Sequence, residues 1–553
     1  MPSTAVTMTT KQGPAVSKQI CRYFFNEISP QAWRCKKCGK SKSKNGGWTN
    51  LLNHLRTCIG DEYRTVYCNA RQENGLNEFV LRISNTEKEM FEWIEFIVMK
   101  NLPVGFVDCP YTRKITRLKP VSTKTLRQNV LALFKVLQQA IKERLPSKFV
   151  VIFDGWTEGT EHFIAVSASF TEPGHNGKND VPVQVMLSMK PLLADGIKGM
   201  TAADHLQHIT NVLSTYGRSS QNILCLVGDN CSVNQCMARM LRVPLLGCAS
   251  HKFHLAVRLW IDNEPQLTAV ILKVSNVMKK ACTLKLAAKL RELTDYSAVK
   301  ENATRWSSTY QMVSRFLKIQ QQLSCVSELL AIFPSHVEMD HLSRTYETLK
   351  KFDEVTIMLQ KDGITFVRVR EIFDEVLLDF PELSTHLADD ADIVKNPIFE
   401  KAIVRISKGL KLTDEQRIEA VRLLKLEPHL LETTSDSQEG SSEESGAGGT
   451  PVQERYSETL ERRLKRQKTL EIETSDIYCN LDMLPGTSVN CERMFSLAKH
   501  ILTDTRKRTS APLFEALLLL KVNRQMWNEH SVGRAMGRSA DYNDNNDDDT
   551  HSN

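Results

Sequence analysis

The chain has 553 residues, 41% hydrophobic and 25% charged, with a formal net charge of +7. That length exceeds what one hydrophobic core serves and predicts several domains, and that composition is ordinary for a folded protein in water. The longest apolar runs, FVVIF and ALLLL, fall far short of the roughly 20 residues of a membrane span, and the N-terminus lacks the apolar core of a secretory signal. The expectation is an intracellular protein without membrane or small-molecule partners, its 14 cysteines present as thiols or metal ligands.

The charge is uneven along the chain. Residues 34–44 (RCKKCGKSKSK) and 462–468 (RRLKRQK) are basic clusters, whereas 541–549 (DYNDNNDDD) is acidic. Basic clusters attract nucleic-acid phosphates because binding releases condensed counterions, although either could be a solvated face. RRLKRQK also reads as a nuclear import signal, which places the protein in the nucleus.

Residues 1–20 are Thr/Ser/Lys-rich and expected to be disordered. A Cys/His-rich unit occupies 21–61. Residues 75–147 read as helical, with EKEMFEWIEFIVMKN apolar at helical spacing. From 148 to 262 strands and helices alternate, and from 263 to 432 nearly every segment reads as an amphipathic helix. Residues 433–454 are an acidic Ser/Gly linker that cannot build a core, 455–530 return to helix, and 531–553 form an acidic tail expected to be disordered.

Within the Cys/His unit, Cys35-x2-Cys38, fifteen residues, then His54-x3-Cys58 has structural-zinc spacing. A tight knuckle supplies two thiolates, and a helix supplies two ligands one turn apart. TNLLNHLRTC provides that helix, with Thr49 as its expected N-cap and Leu51, Leu52 and Leu55 as its packing face. So small a unit would draw much of its folding free energy from the metal. Cys21 and Cys68 fall outside the pattern and read as plain thiols.

These residues resemble a BED-type zinc finger, with Tyr23, Phe24, Phe25 and Trp33 at the aromatic positions and Leu51 to Leu55 matching its Leu-x-x-His-Leu stretch. The resemblance implies a ββα module that binds double-stranded DNA, with Lys36, Lys37, Lys40, Lys42 and Lys44 near phosphates. A protein-binding finger is the alternative, which the lysine density disfavours.

KFVVIFDGW (148–156) is a buried strand that ends on Asp154, a carboxylate that either caps a turn or holds a metal with distant partners. NILCLVGDN (222–230) is a second apolar strand, ending in Asp229. Between them lie FIAVSASF, VQVMLSMKPL and a helix, TAADHLQHITNVLSTYG. Strand, strand, strand, helix, strand is the order of a ribonuclease-H-like sheet, in which strands one and four are parallel neighbours. No GxGxxG follows any strand, so a dinucleotide fold is disfavoured. Two neighbouring carboxylates repel unless cations intervene, and two Mg²⁺ about 4 Å apart suit in-line phosphoryl displacement.

Five segments in order resemble the hAT family of DNA transposases: FDGWTE, VGDNCSVN, GCASHKFHLAV (247–257), ATRWSSTYQMV (303–313) and SVNCERMFS (488–496). The resemblance implies a multidomain α+β protein, with a ribonuclease-H-like core interrupted by an all-helical insertion and followed by a C-terminal dimerisation region. It implies an acidic triad of Asp154, Asp229 and Glu492 holding Mg²⁺ or Mn²⁺, with Cys248 and His251 near the active site. It further implies Arg305 on phosphate and Trp306 stacked on a flipped base; a core position for Trp306 is the equal alternative. Asp229-Asn230 also reads as a turn, Glu492 beside Arg493 as an exposed helical pair, and Glu158 and Glu161 as supporting carboxylates. Cys248, His251 and His254 lack a local fourth ligand, which favours a structural or DNA-facing role over metal. The resemblance adds a homodimer or higher homo-oligomer, since two transposon ends need two active sites. The segment between Asp229 and Glu492 is short for the family, and the rival reading is a non-catalytic nuclear DNA-binding regulator that retains finger and dimerisation segment.

Overall fold

The computed structural model describes residues 20–29, 32–43, 48–60, 84–174, 180–193, 196–302, 306–425, 455–467, 477–502 and 509–544. The expected disordered N-terminus (except Ile20), the 433–454 linker, Lys44, Cys68 and Arg305 lie outside them. The fold is mixed α+β, and the chain forms two compact units: Met1–Leu137 with Arg524–Asn553, and Gln138–Asn523.

In the first unit a three-stranded antiparallel sheet, β1 (Phe25–Ser29), β2 (Ala32–Cys35) and β3 (Ser41–Ser43), accompanies helix α1 (Thr49–Ile59). Phe25, Trp33, Leu51 and Leu55 are buried together with Ile20 and Cys21. The third strand is beyond the expected two. It forms because the knuckle folds back tightly, Gly39 donating to the Cys35 carbonyl at 2.9 Å with φ +70°, a conformation glycine adopts without Cβ strain. The cap lies one residue earlier than expected: Trp48 is the N-cap, without a side-chain bond, and Thr49 is the first helical residue.

Helix α2 (Asn85–Met99) starts at a reciprocal capping box between Ser84 and Glu87 and buries Met90, Trp93, Ile94, Ile97 and Val98. The tail expected to be disordered from 531 is helical instead, in Glu529–Asp544. Val532 and Ala535 bury one face of that helix, which packs on α2, while the acid-rich sequence that prompted the expectation begins only at Asp541. Just ahead of it Phe91 and Trp527 meet edge to face at 5.5 Å, with the Arg524 guanidinium 4.4 Å above the Trp527 ring and paired with Glu95. Helix α3 (Thr123–Arg144) runs across the division between the units.

The second unit is built on a five-stranded sheet in the order β6-β5-β4-β7-β8, comprising β4 (Phe149–Glu158), β5 (Glu161–Glu172), β6 (Val181–Pro191), β7 (Ile223–Gly228) and β8 (Leu245–Gly247). The first three are antiparallel neighbours, and β7 and β8 run parallel to β4. Phe149 to Phe153 and the whole of β7 are buried on both faces, as expected of strands covered by helices on either side. Helix α4 (Ala202–Thr215), opened by a Thr201–Asp204 capping box, crosses over to β7, and α5 (Ser232–Leu241) and α6 (Ala249–Asp262) follow β7 and β8.

An all-helical cluster comes next, including α7 (Pro265–Ala281), α8 (Trp306–Ser324), α9 (His336–Leu359), α10 (Phe366–Asp379) and α11 (Pro397–Ser407). Helix α12 (Tyr456–Gln467) joins it, because Leu460 and Leu464 are buried against α9 and α10; it groups with the insertion rather than with the C-terminal helices. The chain then returns to the sheet. Helix α13 (Val489–Ile501) packs on β4 and β5, and α14 (Ala511–Val522) on β6. Helix α14 is apolar all round and is covered within its own unit, with Phe514 edge-on to Phe163 at 5.4 Å and Leu513 to Leu520 buried save the half-buried Glu515.

A candidate zinc finger and a candidate acidic site

In the finger, Cys35, Cys38, His54 and Cys58 converge so that one ligand atom from each lies within 4.8 Å of all the others. Cys38 Sγ is 3.3 Å from His54 Nε2, and Cys35 Sγ is 4.0 Å from Cys58 Sγ. Tetrahedral zinc with Zn–S of about 2.3 Å and Zn–N of about 2.0 Å spaces its ligands about 3.5–3.8 Å apart, so this set of three thiols and one imidazole fits the ion. Burial, then the charges of Lys42 and Lys40, hold His54 below its ordinary value, which keeps the imidazole neutral and able to ligate. A backbone hydrogen bond at Lys40 lowers Cys38, whereas burial pushes Cys58 up to about 11. Cys21 is not a ligand: it is buried in the finger core, its thiol pushed up to about 12 by burial. Lys36, Lys37, Lys40 and Lys42 are exposed, on the knuckle and third strand.

In the second unit, Asp154 and Asp229 stand at the end of the β4–β7 pairing. Ile152 is in register with Val227, and each aspartate lies two residues beyond that pair. Asp154 is not the last residue of its strand, as the sequence suggests. β4 continues through Glu158, because Gly155 to Glu158 stay paired with β5 after β7 has ended. The Asp-Gly-Trp therefore makes no turn. Trp156 instead stacks on Phe495 of α13 at 5.8 Å. Glu158 and Glu161 face each other at the far hairpin, Glu158 about 13 Å along the strand from Asp154, which separates them from the aspartates.

Glu492, half-buried, lies in the first turn of α13, the helix packed on β4. Its neighbour Arg493 pairs with Asp362 and donates to the Gln360 carbonyl at 2.8 Å. Ser488, the N-cap of α13, points its hydroxyl at Asp154, Oγ donating to Oδ2 at 3.4 Å. Cys491 is fully buried; burial, then the charges of Asp154, Cys248 and Glu492, push its thiol well up. Asp229 accepts from the Asn234 side chain and, at 3.4 Å, from the Cys231 N–H. Asp154 and Asp229 stand at one sheet edge and Glu492 follows on the helix whose N-cap touches Asp154, yet among the described residues only the finger gathers three or more ligand atoms within 4.8 Å. Mutual repulsion keeps uncompensated carboxylates apart.

Cys248 lies beside this edge, its N–H donating to the Gly228 carbonyl at 2.7 Å and its thiol accepting from the Ser488 N–H at 3.3 Å. Burial raises that thiol, which stays protonated. His251 sits in the first turn of α6, its ring 6.2 Å from that of His254, whose Nδ1 accepts from the backbone N–H of Trp306 at 3.1 Å. Trp306 is 2% exposed, packed edge-on to Phe253 and Phe352 in the helical core. The structure gives it the core position, and a base could reach it only if the segment opened.

Two residues near the acids carry no signal in the sequence reading. His162, opposite Thr157 and bonded to its hydroxyl at 2.9 Å, lies over Gly155, and the His205 ring is 6.3 Å away. Burial lowers both imidazoles, while the charges of Asp204 and Asp229 pull His205 partly back. Only the strand register, which the linear pattern does not reveal, brings His162 over Gly155, the residue after Asp154.

Residues 22–58 match the BED zinc finger family. The finger thus supports zinc binding and DNA binding, and the match spans every zinc ligand named above. No curated protein gives a significant match to the chain.

Proposed function

We propose that the protein binds duplex DNA through its BED finger and that its sheet is a ribonuclease-H-like core of the hAT transposase kind, transferring phosphoryl groups with Asp154, Asp229 and Glu492. The observation that carries this reading is the equal offset of Asp154 and Asp229 beyond the last β4–β7 pair; that Glu492 lies in the first turn of α13, which packs on β4, supports it. The sheet order, with three antiparallel strands and then two parallel ones, is that of the ribonuclease-H-like fold and supports the same reading.

Hard oxygen donors at a half-buried sheet edge suit Mg²⁺ or Mn²⁺. When bound, such ions stabilise the attacking and leaving oxygens of an in-line displacement. The chain's own residues orient the carboxylates: Ser488 restrains Asp154, Asn234 restrains Asp229, and the Trp156–Phe495 stack holds the helix bearing Glu492 to β4. A homodimer and a nuclear location belong to this reading. The covered faces of α14 require any dimer contact to use other surfaces.

The test is the full chain with Mg²⁺ or Mn²⁺ on DNA carrying candidate terminal inverted repeats. Nicks and hairpins that vanish in Asp154→Ala are expected, and tight binding without cleavage removes the catalytic part. Two observations favour a second reading, a DNA-binding nuclear regulator that does not cleave: the carboxylates are not drawn together as the finger ligands are, and Trp306 is buried.

A further inference from the structure

We propose that a cation-lined cavity beside β8 is a second nucleic-acid contact, separate from the finger, which binds the phosphodiester backbone of duplex DNA. The inference rests on the DNA-binding reading and extends it to the other unit. The cavity measures about 830 Å³, and Arg239, Arg242, Lys395 and Arg422 contribute to its wall, with Glu419 the one carboxylate in the lining.

These cations come from three separate places in the chain: the end of α5 and its C-cap, the loop before α11, and the short helical turn after residue 419. The segments are pinned together. The Arg422 guanidinium donates to the Ile223 and Arg242 carbonyls at 3.0 and 2.7 Å, and the Asn396 amide donates to the Leu245 carbonyl at 3.1 Å. Arg239, Arg242 and Lys395 are exposed at the rim. The Arg239 and Lys395 side chains donate to the backbone carbonyls of Gln235 and Asp392, and among the described residues none of the four cations is ion-paired with a carboxylate. Two arginines at a helix C-terminus complement the helix dipole, but that does not account for Lys395 and Arg422 converging on the same cavity.

Like charges gathered without counter-charges raise the local positive potential and call for a polyanion. Guanidinium forks match phosphate oxygens in two-point contact. No aromatic side chain lines the cavity, so a base finds no stacking platform, and the sugar-phosphate backbone is favoured over a free nucleotide. The ten residues of α5 lead from just after Asp229 to this cluster, a span of about 15 Å. At about 3.4 Å per base pair, a duplex held here would have its next phosphates at the acidic edge within about four base pairs.

The test compares the zinc-loaded full chain with its Arg239→Gln, Arg242→Gln, Lys395→Gln triple variant, which leaves the carbonyl-bound Arg422 in place. Dissociation constants for a duplex are measured by fluorescence anisotropy across a salt series, with a thermal melt confirming that the variant folds. Each lost phosphate contact lowers the slope of log K against log salt by about 0.9, so the triple variant should lose about 2.7, with the same weakening for unrelated duplex sequences. An unchanged slope overturns the proposal, as does a variant whose loss is confined to RNA or to an acidic polypeptide competitor. If the wild-type chain binds no duplex at all, the DNA-binding reading itself fails. If it binds and only a Cys58→Ala finger variant loses the salt slope, that reading stands and the cavity proposal falls.

Discussion

The thiol of Cys248 accepts a hydrogen bond from the backbone N–H of Ser488 at 3.3 Å, across 240 residues of sequence. Cys248 thereby connects the end of β7, through its own N–H on the Gly228 carbonyl, to the first turn of the helix bearing Glu492. Replacing it with alanine leaves the Ser488 N–H without its acceptor and opens a small void. The expected loss is about 1–3 kcal/mol in a denaturant titration, with Cys248→Ser losing less because a hydroxyl can still accept. Equal stability in the alanine and serine variants would show that the hydrogen bond contributes nothing.

Gly486 provides an independent check on the same junction. Its N–H and carbonyl bond to the Ile364 carbonyl and the Ala249 N–H, both at 3.0 Å, and a Cβ there would lie 2.3 Å from Val369 Cγ2 and 3.0 Å from the Thr365 carbonyl oxygen. Gly486→Ala should destabilise by about 1–3 kcal/mol through overpacking. Val369→Ala in the same chain should recover only part of that, since the backbone oxygen remains. Full recovery would place all the crowding on the valine.

Removing zinc should unfold the finger. Among the described residues its core is seven buried side chains, far too few to hold a sheet and helix against chain entropy. Structural zinc contributes about 10–16 kcal/mol in comparable peptides at neutral pH. Chelation, or Cys58→Ala, is therefore expected to change the Trp33 and Trp48 fluorescence, whose rings pack edge to face at 5.3 Å, and to weaken duplex binding. Fluorescence indifferent to chelator would show that the finger folds without metal.

The finger was legible because its ligands lie within 24 residues and their spacing already encodes the geometry. The apolar runs of β4 and β7 were legible for a related reason, since strands buried on both faces show no alternation. What escaped the sequence depends on distant pairing. Whether β4 stops at Asp154 or runs to Glu158 is decided by β5, which outlasts β7 along it. Trp306 looks the same in sequence as an exposed aromatic, and only the packing of Phe253 and Phe352 around it decides its burial. The helix after Trp527 was hidden by its acidic end, although Val532 and Ala535 supply a buried face.

Acidification should destabilise the chain before its carboxylates titrate. Burial holds His162, His205 and His386 below the ordinary value of 6.5, so the unfolded chain takes up protons that the folded one refuses. The stability from their neutral forms is complete above pH 6.5 and is lost as the pH falls through their lowered folded values. The melting temperature should decline from pH 7 to pH 5, and a His162→Gln, His205→Gln variant should show a shallower decline. Parallel declines in the two proteins would show that these imidazoles do not govern the pH response.

The last expectation concerns Lys252 and Glu400, an ion pair at 3.3 Å whose side chains are 6% and 5% exposed, between α6 and α11. Burial raises the Glu400 carboxyl, and the Lys252 charge acts against that rise. Removing one partner leaves the other charged and desolvated, so Lys252→Met alone should cost about 3–5 kcal/mol. Removing both, as Lys252→Met with Glu400→Leu, exchanges the pair for apolar packing of similar volume. That double variant should recover most of the loss, because the desolvation penalty disappears together with the attraction. Denaturant titrations of the two single variants and the double variant give the coupling directly. Simple additivity would mean that the charges do not interact, and a double variant less stable than either single one would mean that Arg370, close enough to act on Glu400, also depends on that carboxylate.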